Sequence, residues 1–431
     1  MKFDAIVIGA GVAGLAAARE LSGARKRVCV VEARERTGGR IHTLHVPDLP
    51  LPIELGAEFI HGEARDTFSI VEAAALIACQ LPENHLWSRG GKWETVHDIW
   101  ELMDDVRAQI RSLRRDISFA DFLRTRRSIP PRVREMARAF VEGYHAAHAD
   151  RISALSLRAS DDEGKEWGGN TQFRILDGYD AVTEWLRAGL DPERTDLRLG
   201  TAARQVTWRV GEVAIDCVRG QHEQTVRSKS AIITIPIGVW KAPHEQEGAI
   251  RFDPALNEKM RALAKLEIGH VVKIMFRFRE RFWEEGWAET PPNFFHSSDR
   301  FMPTWWTAAP VRAPILTGWA GGHDADALLA EGDEAMIDRA LDALAKAFGV
   351  RRRRIDDLLA GTYTHNWQSD PFSRGAYSYA GVGGTGAHQA LARPIRSTLF
   401  FAGEATSSDQ TGTVAGAIES GRRAARELLK S

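Results

Sequence analysis

The chain is short of cysteine, of charge of one sign and of long apolar runs. Its three cysteines, Cys29, Cys79 and Cys217, are widely separated and form no CxxC pair. That spacing points to a reducing compartment and gives no thiolate framework for a structural zinc. Cys29 lies in an apolar run and is expected to be a small core residue. No stretch of about 18 apolar residues occurs, so no bilayer-spanning helix is expected. Lysine plus arginine number 57 against 58 acidic residues, and the resulting net charge of -1 argues against a general nucleic-acid or membrane-surface binder. The basic runs "RSLRR", "RTRR" and "RRRR" are interleaved with Asp104, Asp105, Asp116, Asp121, Asp356 and Asp357, so they read as solvated, salt-bridged faces. The N-terminal "MKFDAIVIGAGVAGLAAARE" carries Asp4 and punctuating glycines and reads as strand and turn, not as a signal peptide. With no hydrophobic anchor or S-K-L ending, a soluble cytoplasmic location is expected.

What is present is an ordinary globular composition, 44% hydrophobic and 27% charged, over 431 residues, enough for two domains. "FDAIVIG" and "RVCVVEA" read as buried strands around the small-residue helix "AGLAAARELSG". This βαβ unit requires a parallel sheet. From about 79 to 195 the chain turns helical and arginine-rich, with a proline break at "SIPPRVREM". "RQVTWRVGEVAIDCV" reads as a hairpin around Gly211. "SAIITIPIGVW" and "HVVKIMFRF" read as strands. "DEAMIDRALDALAKAFG" reads as a helix with acids in its first turn and Gly349 past its end. "STLFFAGEAT" then gives a strand, and "TVAGAIESGRRAARELLK" a closing helix. The expected fold class is α/β, a Rossmann-like nucleotide-binding domain built from discontinuous segments (1–78, 196–272 and 365–431). An α+β domain from 79–195 and 273–364 is inserted into it.

"GAGVAG" places Gly9, Gly11 and Gly14 as GxGxxG between strand and helix, with Ala13 in the helix's first turn. Gly9 permits the tight turn, Gly11 lets backbone approach a pyrophosphate, and Gly14 lets the helix pack on the strand. Glu32 ends the next strand, at the spacing where a carboxylate accepts ribose hydroxyls. The same charge would repel a 2′-phosphate.

"EARERTGGRIHT" follows, with Arg34, the pair Gly38 and Gly39, and then Arg40. This resembles the second fingerprint of the FAD-dependent amine oxidase family, and the resemblance recurs along the chain. "ELGAEFIHG", with Gly56, Ala57, Glu58 and Phe59, is similar to the family's loop passing the isoalloxazine. "TAARQV" resembles the strand whose valine, here Val206, meets the adenine through its backbone. "TIPIGVWK" resembles the strand and proline turn beside the cofactor. "FFAGEAT" places Glu404 on the ribityl and diphosphate side, and "GTVAGAIESG" places Thr413 and Val414 at the pyrimidine end.

The resemblance also implies a reacting centre. Lys273 in "HVVKIMF" matches the lysine that holds a water at flavin N5, and its apolar neighbours make an inward lysine costly unless it is used. Trp367 and Tyr377 match the aromatic wall above the flavin, with Gly375 expected to let the turn pass close to the ring. His61 matches the substrate-side histidine of polyamine oxidases. Ala376 stands where monoamine oxidases carry the cysteine that bonds the flavin, so FAD is expected to be non-covalent. Thr413 stands where they carry a second tyrosine, a combination similar to polyamine oxidases and lysine-specific histone demethylases. Trp305 and Trp306 are candidates for the substrate tunnel, and Asp161, Asp162, Glu163 and Glu166 for a distal ammonium group.

The resemblance implies oxidation of an amine C–N bond, with a diamine or polyamine as the expected substrate, by hydride transfer to flavin N5. Imine hydrolysis and reduction of dioxygen to hydrogen peroxide would follow. The expected partners are a small amine and O2, without nucleic acid, membrane or metal, in a monomer or homodimer. The rival readings are a flavin desaturase or protoporphyrinogen-type oxidase, an L-amino acid oxidase, and a non-catalytic flavin-binding redox sensor.

Overall fold

The computed structural model describes residues 3–82, 84–89, 92–95, 99–158, 171–285 and 292–431. The apolar run Ala5–Ile8 is completely buried between Val28–Val31 and Ser230–Ile233, all three parallel. Thr195–Arg198 and Leu399–Phe401 flank them, also parallel. Counted along the chain, the five strands lie in the order 3-2-1-4-5. This is the doubly wound Rossmann arrangement, and a ligand crevice opens where the winding reverses, outside the carboxyl ends of the first and fourth strands. Both of those strands end at cavity-lining residues, Gly9 after one and Thr234 after the other.

Helix Val12–Gly23 covers one face of this sheet, and helix Val414–Lys430 lies on that helix. Their contact is backbone to backbone, since a Cβ on Gly421 would stand 2.1 Å from the carbonyl oxygen of Ala13. The N-terminal and C-terminal motifs are therefore joined through glycine and alanine. A four-stranded sheet, containing the hairpin Ala202–Arg209 and Glu212–Arg219, buries its apolar face on the other side.

The second region holds helices Ile99–Arg111, Phe119–Thr125 and Pro131–Tyr144, with Pro131 in the first turn of the last, where its missing N–H costs nothing. Beside them stands a seven-stranded sheet with Val271–Phe278 second from one edge. Alternation along that strand sends Val272, Ile274, Phe276 and Phe278 into one core cluster. Val271, Lys273 and Met275 point to the other face.

Two expected boundaries move. Helix Asp180–Ala188 buries Val182 and Leu186 in the same cluster as Ala13 and Leu15, and Thr195–Arg198 joins the parallel sheet, so residues 180–198 pack with the nucleotide core. The break drawn between 272 and 273 falls inside a strand whose ladder with Ile315–Gly321 is continuous from Val271 to Arg277. A boundary there would cut paired backbone, so it lies before Val271. Among the described residues no helix is long and apolar enough to cross a membrane.

Candidate active site

At the nucleotide end, Gly9 has φ +104°, open to glycine, and a Cβ there would lie 2.6 Å from the Thr234 hydroxyl. The helix that follows starts at Gly11 with no side-chain cap, so its first N–H groups are left for an anion in the crevice. Gly11 and Ala13 line that crevice; Gly14 does not, and its part is packing, because its Cβ would stand 1.9 Å from Gly9 O. Gly14→Ala is expected to push helix from strand and yield protein with little bound flavin, read as the ratio of flavin to protein absorbance. Glu32 is buried, accepting N–H bonds from Ala10 at 2.7 Å and Arg34 at 2.9 Å. Two charge-assisted bonds fix the carboxylate at the strand end.

The side chain of Arg34 bridges to the distant turn, donating to Asp370 Oδ1 at 2.7 Å and Ser373 Oγ at 2.9 Å. Arg40 donates to Glu404 Oε1 at 3.0 Å and to Ala376 O at 2.5 Å, and Ser378 Oγ donates to the other Glu404 oxygen at 2.6 Å. "DPFSRGAYSY" is thus tied to both early arginines. Gly39 packs against Gly11. Thr413 caps the last helix, its Oγ1 accepting the Gly416 N–H at 3.0 Å, and lines the cavity with Val414.

Val206 is not brought there. The resemblance has it meet the adenine through its backbone, but the cavity wall at that end is Thr201, Ala202 and Ala203.

At the other end, Trp367 is buried and donates its indole N–H to Leu55 O at 3.0 Å. Its ring lies 3.2 Å from the site of a Cβ on Gly56, which would also strike Arg40 O at 1.9 Å. Lys273 Nζ is 2.6 Å from Glu58 Oε2 and 3.0 Å from Gly56 O. The same Glu58 accepts from Arg174 Nη1 at 2.6 Å and Trp306 Nε1 at 3.0 Å. Burial alone would raise the Glu58 pKa, but Lys273 and Arg174 outweigh it and hold the carboxyl below its ordinary value. Glu58 is therefore the anionic anchor of the lysine. Its neighbours Ala57 and Phe59 face the cavity.

Tyr377 completes the wall and donates its hydroxyl to Tyr144 O at 2.8 Å. Gly375 has a different reason from the one expected. At φ +135°, a Cβ would meet Ile268 Cγ1 at 2.2 Å, so the glycine seats the turn on the strand before Lys273. Trp306 lines the cavity while Trp305 is a fully buried core residue, because neighbours on the strand Thr304–Thr307 point to opposite faces. The acidic residues 161–166 lie outside the described residues.

His61 lies in the cavity, its ring 5.6 Å from that of Tyr144. Burial lowers its pKa from 6.5 to about 4. His85 and His296 stack at 5.3 Å with Nδ1 and Nε2 2.9 Å apart, and burial lowers them to about 4 and about 3. All three imidazoles are neutral at pH 7. Their folded pKa values lie below the unfolded one, so between about 6.5 and 4 the unfolded chain binds more protons. The stability they contribute is complete above pH 6.5 and is lost as pH falls through that window. The unfolding midpoint is expected to drop steadily across it, which a thermal-melt series in matched buffers will show.

These groups line one continuous cavity of about 820 Å³, from Gly9 and Glu32 at one end to His61 and Tyr144 at the other. Its uncapped helix start, ribose-height carboxylate and long aromatic chamber fit an extended dinucleotide with a flat ring system.

A profile of the family described as flavin containing amine oxidoreductase matches residues 12–429. The chain belongs to that family: it is a flavoprotein oxidoreductase that binds FAD and oxidises an amine C–N bond, and the desaturase and non-catalytic readings are not favoured. It is 30% identical over 457 aligned residues to Polyamine oxidase 3 of Oryza sativa subsp. japonica, covering 98% of this chain and 88% of that one. It is 27% identical to Lysine-specific histone demethylase 1 homolog 3 of Arabidopsis thaliana, but spans only 30% of that protein. Two solved structures share the fold at TM-score 0.82. They are putrescine oxidase bound to putrescine, 19% identical with 100% of each chain covered, and cyclohexylamine oxidase from Brevibacterium oxydans IH-35A, 20% identical with 100% and 99% covered.

The sequence singled out Lys273, Trp367, Tyr377 and His61 without finding what holds them. Arg174 sits in the strand Gln172–Ile175, among many arginines, with no local motif to mark it. Phe294 and Trp319, also cavity residues, carry no signal beyond being aromatic.

Proposed function

We propose that this enzyme oxidises a diamine or polyamine, that dioxygen is the electron acceptor, and that hydrogen peroxide is released. The single observation that carries an amine-oxidising centre is Lys273, 5% exposed, held by Glu58 and Gly56 in the wall of the cavity that Trp367 and Tyr377 also line. An ammonium has three donors, and two of these are engaged, which leaves one to hold a water at the cavity wall. When bound, FAD supplies the hydride acceptor. Glu32 and the Gly11 turn would hold its adenosine and diphosphate side, Arg40 and Glu404 its middle, and Gly56, Thr413 and Val414 its ring end. Ala376 offers no nucleophile, so the binding is reversible.

The chain's own contribution is orientation and a dry site. Phe59, Tyr144, Phe294, Trp306, Trp319 and Tyr377 exclude water around the amine. Burial of an ammonium among them favours loss of its proton, and the neutral amine is the form that yields a hydride. His61, neutral, can orient that nitrogen by hydrogen bonding. The polyamine assignment is supported by the names of the relatives and by the pairing of Ala376 with Thr413. A second reading, an amine with one apolar substituent, is favoured by this aromatic lining, whose carboxylate Glu58 is already neutralised by Lys273 and Arg174. We assign residues 3–78, 180–270 and 365–431 to the cofactor-binding part, and place the enzyme in the cytoplasm as a monomer or homodimer.

A peroxide assay over putrescine, spermidine, spermine, benzylamine, cyclohexylamine and amino acids, with product mass spectrometry, tests this. Highest kcat/KM for a di- or polyamine supports the first reading, and for benzylamine or cyclohexylamine the second. Absence of peroxide from every amine would remove both.

A further inference from the structure

Behind the aromatic wall, outside the cavity chemistry, three histidines and two aspartates converge from separate stretches of chain. His148 and Asp150 belong to the turn after helix Pro131–Tyr144, and His270 directly precedes the strand that carries Lys273. His323 and Asp326 are three residues apart on helix Gly322–Leu329, hence on one face. One ring nitrogen each from His148 and His323 and one oxygen of Asp326 lie within 4.8 Å of one another. His148 is 1% exposed, and its Nε2 lies 2.7 Å from Asp326 Oδ2.

Each of these groups is aimed by a second partner. The Tyr379 hydroxyl is 3.1 Å from His148 Nδ1, which leaves Nε2 as the nitrogen facing the cluster. The His270 Nδ1 is 2.5 Å from the other oxygen of Asp326. Asp150 Oδ1 is 2.9 Å from His323 Nε2. An isolated buried histidine–carboxylate bond is an ordinary structural pair. Here a second imidazole, His323, brings a ring nitrogen to the same spot, while His270 and Asp150 hold Asp326 and His323 from outside it. Metal-binding histidines are held in this way, through the ring nitrogen that does not ligate.

We propose that His148, His323 and Asp326 bind a divalent transition metal, with Asp150 orienting His323 from outside the donor set. Two imidazoles and one carboxylate form a borderline donor set that suits zinc, with a water as the fourth ligand. The scarcity of cysteine excludes a thiolate site and does not bear on this one. The ion would cross-link the turn at 146–150 to helix Gly322–Leu329. Ala146, in that turn, packs with Val271, Trp367 and Ala376, so the metal would brace the wall of the active site from behind.

The test uses FAD-loaded protein treated with chelator and then titrated with zinc, followed by calorimetry and thermal unfolding. Wild type is expected to take up stoichiometric zinc and to gain a higher unfolding midpoint. His323→Gln, which removes a proposed ligand at a side chain 40% exposed, is expected to lose stoichiometric zinc uptake. If that variant folds poorly, as judged by its flavin content, Asp150→Asn at a 57% exposed side chain provides the comparison. No zinc uptake by wild type, or unchanged uptake in the variant, would overturn the proposal and leave a metal-free histidine–aspartate clamp.

Discussion

Lys273→Met is expected to retain FAD while slowing flavin reduction by amine about 10²–10⁴-fold, the usual contribution of a positioned proton-handling group. The fold should tolerate the change. Glu58 would still accept from Arg174 at 2.6 Å and Trp306 at 3.0 Å, so its charge stays compensated. Methionine fills a similar volume in the same apolar strand and removes only the ammonium. Rapid mixing separates the reductive step from reoxidation by oxygen. Wild-type rates in both steps would strip Lys273 of its role.

Glu58→Ala is expected to have the largest effect on stability. It would leave Lys273 and Arg174, with side chains 4% and 6% exposed, buried without their shared carboxylate. Removing one member of a buried charge network costs about 3–5 kcal/mol. Glu58→Gln should fall between, because an amide oxygen still accepts hydrogen bonds but carries no charge. Denaturant unfolding of the flavin-loaded proteins measures both. The pH dependence has a defined sign. The folded carboxyl titrates below its ordinary 4.5, so its stabilisation is complete above that value and is lost as pH falls beneath it. A Glu58→Ala protein as stable as wild type would mean that the network holds nothing in place.

The nucleotide half of the molecule was legible because its chemistry is local. A strand, a glycine turn, a helix and a terminal acid occupy consecutive residues, and backbone geometry leaves few alternatives to glycine at Gly9. The second half was legible only as separate motifs. Nothing near Arg174 in sequence records that it closes on Glu58 across 116 residues. The two tryptophans of "TWWT" could not be told apart until the strand's two faces were known. Nothing in "TAARQV" records that the chain meets the cavity at Thr201, Ala202 and Ala203 and has left it by Val206. Asp370 and Ser373 anchor Arg34 with no local motif to mark them. Residues 180–195 were placed with the insertion because they follow its arginine-rich helices. The apolar face of helix Asp180–Ala188 returns them to the first core.

The most direct measurement is anaerobic titration of the purified yellow protein with single amines, watching the oxidised-flavin absorbance. If Lys273, Trp367 and Tyr377 together present an amine to the bound ring, at least one amine will bleach the flavin completely, and oxygen will restore the colour. Protein whose flavin is bleached by dithionite but by no amine would contradict the account.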